Sequence, residues 1–210
     1  MSGALRELID GAAALGLALD ARHAELLLRL LDELELWNRS YNLTAITERG
    51  QMIRAHLLDS LAALPDLNGS RIADVGTGAG FPGLPLALLC PQRHFTLIDA
   101  TAKKVRFVAH AARLLALANV TPLHSRVESL APDPPFDTVI ARACAPLPEL
   151  LRHVAGLCGP ATCVVALKGR YPEAELEGLP AGWRLRRSRM VRIPGLEAER
   201  HILTLSTGPA

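Results

Sequence analysis

Between Arg71 and Gly83 the chain reads Arg71-Ile-Ala-Asp74-Val-Gly76-Thr-Gly78-Ala-Gly80-Phe81-Pro-Gly83. An apolar run, an acid and four closely spaced glycines describe a strand that turns through a glycine loop into a helix. Glycine accepts positive φ and lets a ligand approach the backbone, and a helix start offers N–H groups to a carboxylate or phosphate. A second acid, Asp99, closes the next apolar run, where its carboxylate can accept both hydroxyls of a ribose. Together these residues ask for a nucleoside that carries an amino-acid tail.

Gly78-Ala-Gly80-Phe-Pro-Gly83 also fits a dinucleotide fingerprint, with Asp99 about the right distance on. Two features argue against a dinucleotide. Asp74 ends the strand just before the first glycine, a place to meet the ammonium of a methionine tail, and no second domain is present to hold a hydride acceptor. The expected cofactor is S-adenosylmethionine, with Asp74, the glycine loop through Gly78 and Asp99 around it. A purely structural glycine turn is the bland alternative.

The elements that must hold this loop follow from periodicity. Leu27, Leu30, Leu31, Leu34, Trp37 and Tyr41 recur at helical spacing, a weaker Ala/Leu pattern runs from Leu5 to Leu19, and Thr47 is placed to cap a helix carrying Ile53, Leu57, Leu61 and Leu64. Residues 1–65 therefore read as a helical cap and residues 66–210 as the cofactor-binding domain. Strands are expected at Arg71 to Val75, His94 to Asp99, Val120 to His124, Asp137 to Ala141 and Thr162 to Lys168, with helices starting after Phe81, after Thr101 and near Pro146. Strand and helix alternate as a doubly wound α/β sheet requires. Trp183 to Ile193 and Arg200 to Thr207 leave no room for a helix between them and should form an antiparallel hairpin at the sheet edge.

Composition narrows the class. Apolar residues make up 50% of the chain but aromatics only 4%, so the core is built from Leu, Ala and Val. Apolar runs such as Ala12 to Leu19 are far shorter than the roughly 20 residues of a membrane span. Arg6, Glu7 and Asp10 stand where a signal peptide would be apolar. A cytoplasmic protein with no membrane partner, expected to be a monomer, follows. Cys90, Cys144, Cys158 and Cys163 form no CxxC pair and no cluster with His at metal-ligand spacing, so no metal is expected. Residues 1–100 hold 8 basic and 12 acidic side chains and residues 101–210 hold 15 and 9, which gives the second half a surface suited to nucleic acid.

The chain resembles the bacterial small-subunit ribosomal RNA guanine-N7 methyltransferases, the RsmG or GidB family, over nearly its whole length. The matching segments are Trp37-Asn-Arg-Ser-Tyr41-Asn-Leu-Thr44, Arg54-Ala-His56-Leu-Leu-Asp59-Ser-Leu61, Asp74 to Gly83, Leu97-Ile-Asp99, Lys104-Val-Arg106-Phe107, Ser125-Arg-Val-Glu128, Ala141-Arg142-Ala143, Leu167-Lys168-Gly169 and Glu199-Arg200-His201. The resemblance implies a Rossmann-like class I methyltransferase fold, and 16S ribosomal RNA or the small ribosomal subunit as partner. It implies that Gly76 and Phe81 contact the cofactor, that Val127 and Glu128 lie beside its adenine, and that Arg142 borders the methyl-donor site. It also implies that Arg126, Arg142, Lys168 and Arg200 form a basic wall for RNA. Two departures are visible: Ala100 and Thr101 stand where a Ser-Leu pair is common, and Ala198 where a Gly often precedes Glu-Arg-His.

Guanine N7 carries an in-plane lone pair that needs no deprotonation, so transfer to it calls for positioning and no general base. Arginine and lysine then hold phosphates and guanine O6. Strand order should bring Arg126, Arg142 and Lys168 to one edge beside the glycine loop, with Arg200 arriving if the hairpin closes over it. His56 and Asp59 remain a polar helix face, an interdomain contact or a site element, with packing as the first reading, and the arginines at 184, 186, 187, 189 and 192 are either an RNA contact or a solvated face. Asp133-Pro-Pro-Phe136 resembles an amino-methyltransferase signature but precedes its strand and reads as a loop. Two other classes stay in view. One is a non-catalytic S-adenosylmethionine sensor or scaffold; the other is a carbon-5 pyrimidine methyltransferase with Cys144 as nucleophile and Thr162-Cys163 as a faint second motif.

Overall fold

The structure is a computed structural model that describes residues 2–142 and 145–208. Seven strands, β1 (Arg71–Val75), β2 (His94–Asp99), β3 (Val120–His124), β4 (Phe136–Arg142), β5 (Cys158–Lys168), β6 (Arg184–Val191) and β7 (Arg200–Ser206), form one sheet in the order β3-β2-β1-β4-β5-β7-β6. The first five are parallel, β7 runs antiparallel to β5, and β6 pairs antiparallel with β7 at the edge. β1 lies between β2 and β4, so the strand order reverses there, and a crevice opens outside the carboxyl ends of β1 and β4, where doubly wound sheets take their ligands.

Strand periodicity divides the core. Ile72, Leu97, Ile140, Val165 and Ile202 face one side of the sheet. Ala73, Ile98, Val139, Val164 and Leu203 face the other. The first side is covered by α1 (Gly3–Ala14), α2 (Ala21–Tyr41), α3 (Arg49–Met52), α4 (Asp59–Leu61), α5 (Gly83–Leu89) and α6 (Ala102–Leu114), which share its apolar cluster. The second takes α7 (Leu147–Val154) through Leu147, Leu150, Leu151 and Val154, and Leu176 of the short α8 (Glu173–Glu177) packs at its margin. Both faces are thus apolar, and β1 is buried from Ile72 to Val75.

Helix α2 starts at Asp20, whose carboxylate accepts from His23 N at 2.8 Å, buries Leu27, Leu30, Leu31 and Leu34, and stops at Asn42 in the left-handed region at φ 48°. Thr47 is not the next cap. Glu48 is, because its two oxygens accept from Gly50 N and Gln51 N at 2.8 and 2.6 Å, a double acceptor that one hydroxyl cannot equal. The single regular helix expected beyond it is interrupted: α3 runs into a π-helical turn, Ile53–Leu58, before α4 resumes the α pitch. Strand β5 begins four residues earlier than the spacing suggested, at Cys158, where Thr162 Oγ1 accepts from Gly159 N and donates to Phe136 O.

Candidate active site

Gly76, Gly78 and Gly80 sit at φ 65°, 61° and 85°, in the left-handed region that side chains avoid. The loop is fastened from below by Asp74. Its Oδ2 accepts from Thr77 Oγ1 at 2.6 Å and from Gly83 N at 2.8 Å, while Oδ1 is buried without a hydrogen-bond partner among the described residues. Asp74 has no exposed surface, and burial, ahead of every other cause, pushes its carboxyl up to about 6. A Cβ on Gly83 would stand 2.6 Å from that carboxylate.

Asp74 lines neither cavity described below and fastens the loop from beneath it, and the enclosure corrects one expectation, that of a free N–H at the helix start. The first N–H of α5, Gly83 N, is taken by Asp74 and is not offered to a ligand.

Two cavities meet at Gly76. The smaller, about 250 Å³, is lined by Val75, Gly76, Ile98, Asp99, Ala100 and Ser125 to Glu128, with Ala145, Glu149, Leu150 and His153 opposite. Asp99 Oδ2 accepts from Gly78 N at 3.0 Å and Oδ1 from Thr101 N at 2.8 Å, with Lys104 Nζ 3.7 Å away. A carboxylate has about four lone-pair sites, so two backbone donors leave capacity for hydroxyls. Val127 and Glu128 occupy a short 3-10 turn, Val127–Ser129, on the cavity wall.

The larger cavity, about 450 Å³, lies across Gly76 and is walled by Gly78, Phe81, His56, Asp59, Arg142, Lys168 and Arg200. Arg142 Nη1 donates to Ala55 O at 2.7 Å and to Asp59 Oδ2 at 3.1 Å, and its guanidinium stands 5.8 Å from the centre of the Phe81 ring. Arg200 Nε donates to Asp59 Oδ1 at 2.9 Å. Lys168 Nζ donates to Glu175 Oε2 at 2.8 Å and to Ala145 O at 2.9 Å. The basic residues therefore converge, but each of these three is ion-paired.

Arg126 is not among them. It is exposed and lines the smaller cavity, since its strand β3 is three places from β4 in the sheet, roughly 14 Å at the usual strand spacing. The expectation that Arg126 sits beside Arg142 and Lys168 is corrected by strand order, which chain order alone does not reveal.

His56 and Asp59 on the cavity wall, and Glu175 behind Lys168, are the residues that sequence reasoning left unassigned or missed. His56 stacks on Phe81, ring centres 4.9 Å apart at 22°, and its Nε2 meets Thr44 Oγ1 at 3.0 Å. Burial, followed by the charge of Arg142, lowers its pKa to about 4, so the ring is neutral near pH 7. The signal that could have raised both helix residues is His56-Leu-Leu-Asp59, two polar groups three apart inside an apolar helical pattern.

The side readings separate cleanly. Cys163 pairs with Thr138 in mid-strand, five residues before Lys168 and so roughly 16 Å from the cavity end of β5. Burial pushes the Cys158 thiol up to about 12, and Cys90 is raised likewise. Cys144 and Ala143 lie outside the described residues. Asp133-Pro-Pro-Phe136 sits at the far end of the sheet, where Pro134 O accepts from Arg71 Nη2 at 2.9 Å. Of the arginine run, Arg189 donates to Asp66 Oδ2 at 2.5 Å and to Ala62 O at 2.6 Å, which ties the hairpin to the helical layer, and Arg186 donates to Ser206 Oγ at 2.7 Å, which joins the hairpin's two strands. No group of His, Cys, Asp and Glu among the described residues is placed to hold a metal ion.

The family model described as rRNA small subunit methyltransferase G matches residues 23–203. A ribosomal RNA small subunit methyltransferase G from Methylococcus capsulatus is 49% identical over 195 residues, covering 93% of this chain and 95% of its own. One from Ectopseudomonas mendocina is 42% identical over 201 residues, covering 95% and 94%. Among solved structures, TrmN from Thermus thermophilus aligns with a TM-score of 0.57 at 22% identity, covering 73% of this chain and 53% of that one. Magnesium protoporphyrin IX methyltransferase from Synechocystis aligns at 0.58 and 20%, covering 84% and 90%. The [4+2]-cyclase SpnF aligns at 0.59 and 19%, covering 73% and 82%. At such identity these structures speak to the fold alone, and a cyclase among them illustrates that this fold does not choose the reaction.

Proposed function

Because the chain belongs to the rRNA small subunit methyltransferase G family, we propose that it transfers a methyl group from S-adenosylmethionine to N7 of a guanine in 16S ribosomal RNA. The observation that carries this reading is the pair of cavities joined at Gly76. The smaller has the acid, the turn and the apolar walls for a nucleoside. The larger has the room, the aromatic wall and the arginine donors for an acceptor base.

Asp99 would accept the ribose hydroxyls, and Val127 and Glu128 would flank the adenine. Gly76 and Gly78 would let the backbone approach the rest of the cofactor, whose sulfonium supplies an electrophilic methyl when bound. Asp74 contributes indirectly by holding the loop that forms the floor.

On the acceptor side, guanine presents O6 and N7 on one edge, which an arginine fork suits. Arg142 and Arg200 are the donors placed for it, with the Phe81 ring as a wall and Lys168 at the rim. No residue in the cavity needs to remove a proton: His56 is neutral but already engaged with Thr44 and Phe81. Arg126, on the other cavity's margin, is assigned to the RNA backbone. No helix among the described residues is long and apolar enough to cross a membrane, and the proposed place of action is the cytoplasm, where small subunits are made.

The test uses purified protein and cofactor labelled on its methyl group, offered naked 16S RNA and small subunits from cells without this enzyme. Label recovered as N7-methylguanosine is the expected result. Cofactor binding with no transfer to either acceptor would favour a sensor, and label in 5-methylcytidine would favour the cysteine mechanism.

A further inference from the structure

The two arginines of the larger cavity come from strands that do not touch. β5 lies between β4 and β7, so Arg142 and Arg200 start roughly 10 Å apart in the sheet. Two guanidinium groups in one cavity repel, yet here they share one carboxylate. Asp59 Oδ2 takes Arg142 Nη1 and Asp59 Oδ1 takes Arg200 Nε, each oxygen serving one arginine. The Asp59 side chain is 7% exposed, and those of Arg142 and Arg200 are 19% and 21%.

The π-helical turn explains how a residue from the helical layer reaches this point. In an α-helix Ala55 O would receive Asp59 N–H. Here Asp59 N–H bonds to Arg54 O, five residues back, and Ala55 O receives Arg142 Nη1 at 2.7 Å. One turn thus gives Arg142 both a carboxylate and a carbonyl. Lys168 is matched by Glu175, which stands behind the cavity wall, so the wall's three cations are met by two acids, Asp59 on the wall and Glu175 outside it. That balance suits a neutral base edge carrying oxygen and nitrogen acceptors better than a run of phosphates.

We propose that Asp59 is a positioning residue of the methyl-acceptor cavity, bridging Arg142 and Arg200 so that both guanidinium groups are held where the acceptor guanine is seated. The proposal rests on the functional reading above. Both Asp59 oxygens are engaged by the arginines, so its role in this reading is exerted through them.

The experiment measures steady-state transfer to unmodified small subunits by the parent, Asp59→Asn and Asp59→Glu, with cofactor titration by calorimetry and a thermal melt of each. Displacement by about 1 Å at a reacting pair costs about a hundredfold in rate, so Asp59→Asn should lose about that factor in kcat while cofactor affinity is unchanged. KM for subunits at low salt should stay equal or fall, because an acid has left a basic cavity. A residue that merely docked the helices would weaken cofactor and subunit binding together and would not give this split. Asp59→Glu keeps the charge but moves the carboxylate by one methylene, and it carries the test if the Asn variant fails to fold: it should melt like the parent and still be slower. A folded Asn or Glu variant with parental kcat overturns the proposal, as does loss of cofactor affinity in step with kcat. Absence of transfer by the parent overturns the functional reading and this proposal with it, whereas an active parent with an equally active variant overturns the role of Asp59 alone.

Discussion

Asp74, next to last in β1, and Asp99, last in β2, stand on neighbouring strands, and their surroundings give them different work. Asp99 borders a cavity and keeps acceptor capacity, so Asp99→Ala should lose charge-assisted hydrogen bonds worth about 1.5–3 kcal/mol, a ten- to hundredfold weaker cofactor by calorimetry; unchanged affinity in a folded variant would remove Asp99 from the site. Asp74 is enclosed, with its carboxyl at about 6 instead of 3.8. A folded value above the unfolded one means that the stability this group contributes is fully present below pH 3.8 and is lost as pH rises through about 6. Asp74→Asn keeps an acceptor for Thr77 and Gly83 but cannot ionise, so it should gain on the parent as pH is raised across that window. His56 works in the opposite sense, its contribution present above 6.5 and lost as pH falls through about 4, but it is common to both proteins and cancels in the difference. Melts across the window test this, and a pH-independent difference between variant and parent would contradict it. Spacing revealed both acids but not that Asp99 borders a cavity and Asp74 does not, since that depends on the loop folding back so that Gly83 N reaches Asp74 Oδ2.

At the scale of elements, the glycine loop and α5 work as a unit because Gly83 has no side chain. A Cβ there would lie 2.6 Å from Asp74 Oδ2 and 2.7 Å from Leu97 Cγ. Overpacking of this kind costs about 1–3 kcal/mol, so Gly83→Ala should lower Tm by several degrees, at about 2–4 °C per kcal/mol, and weaken cofactor binding; a parental melt would show that the loop can shift. Leu57, fully buried on the π-helical turn, should cost about 2–5 kcal/mol when cut to Ala, read by denaturant unfolding, and a much smaller loss would mean that the turn packs loosely. The limits of β1, β2 and β3 were legible because each is a short strand-forming run bounded by turn or loop residues, although only β1 and β2 are largely buried and β3 is a partly exposed edge strand. The π-helical turn was not, because Ile53, Leu57, Leu61 and Leu64 satisfy a helical period whether or not one residue is accommodated as a bulge.

Across the whole molecule, charge separates into two kinds. Arg142, Lys168 and Arg200 are ion-paired inside a cavity, while Arg126 is exposed at its neighbour's rim. Arg126→Ala should therefore flatten the salt dependence of subunit binding by about one unit of slope, and Lys168→Ala, whose charge is already met by Glu175, should change the slope little; binding across a salt series decides, and the reverse ranking would place RNA phosphates in the larger cavity. The basic character of the second half was legible from counting residues, but the pairing was not, because Asp59 lies 83 and 141 residues from the arginines it meets, and Glu175 reaches Lys168 only because the chain turns back between β5 and α8. The central claim, methyl transfer to guanine N7, is tested most directly by mapping N7-methylguanosine in 16S RNA from cells with the gene, without it, and without it but supplied with the parent or with Asp99→Ala. One guanine should carry the methyl group with the gene, lose it on deletion, regain it with the parent and stay largely unmodified with Asp99→Ala. An unchanged map on deletion, or a lost methyl that proves to sit on a pyrimidine, would contradict the account.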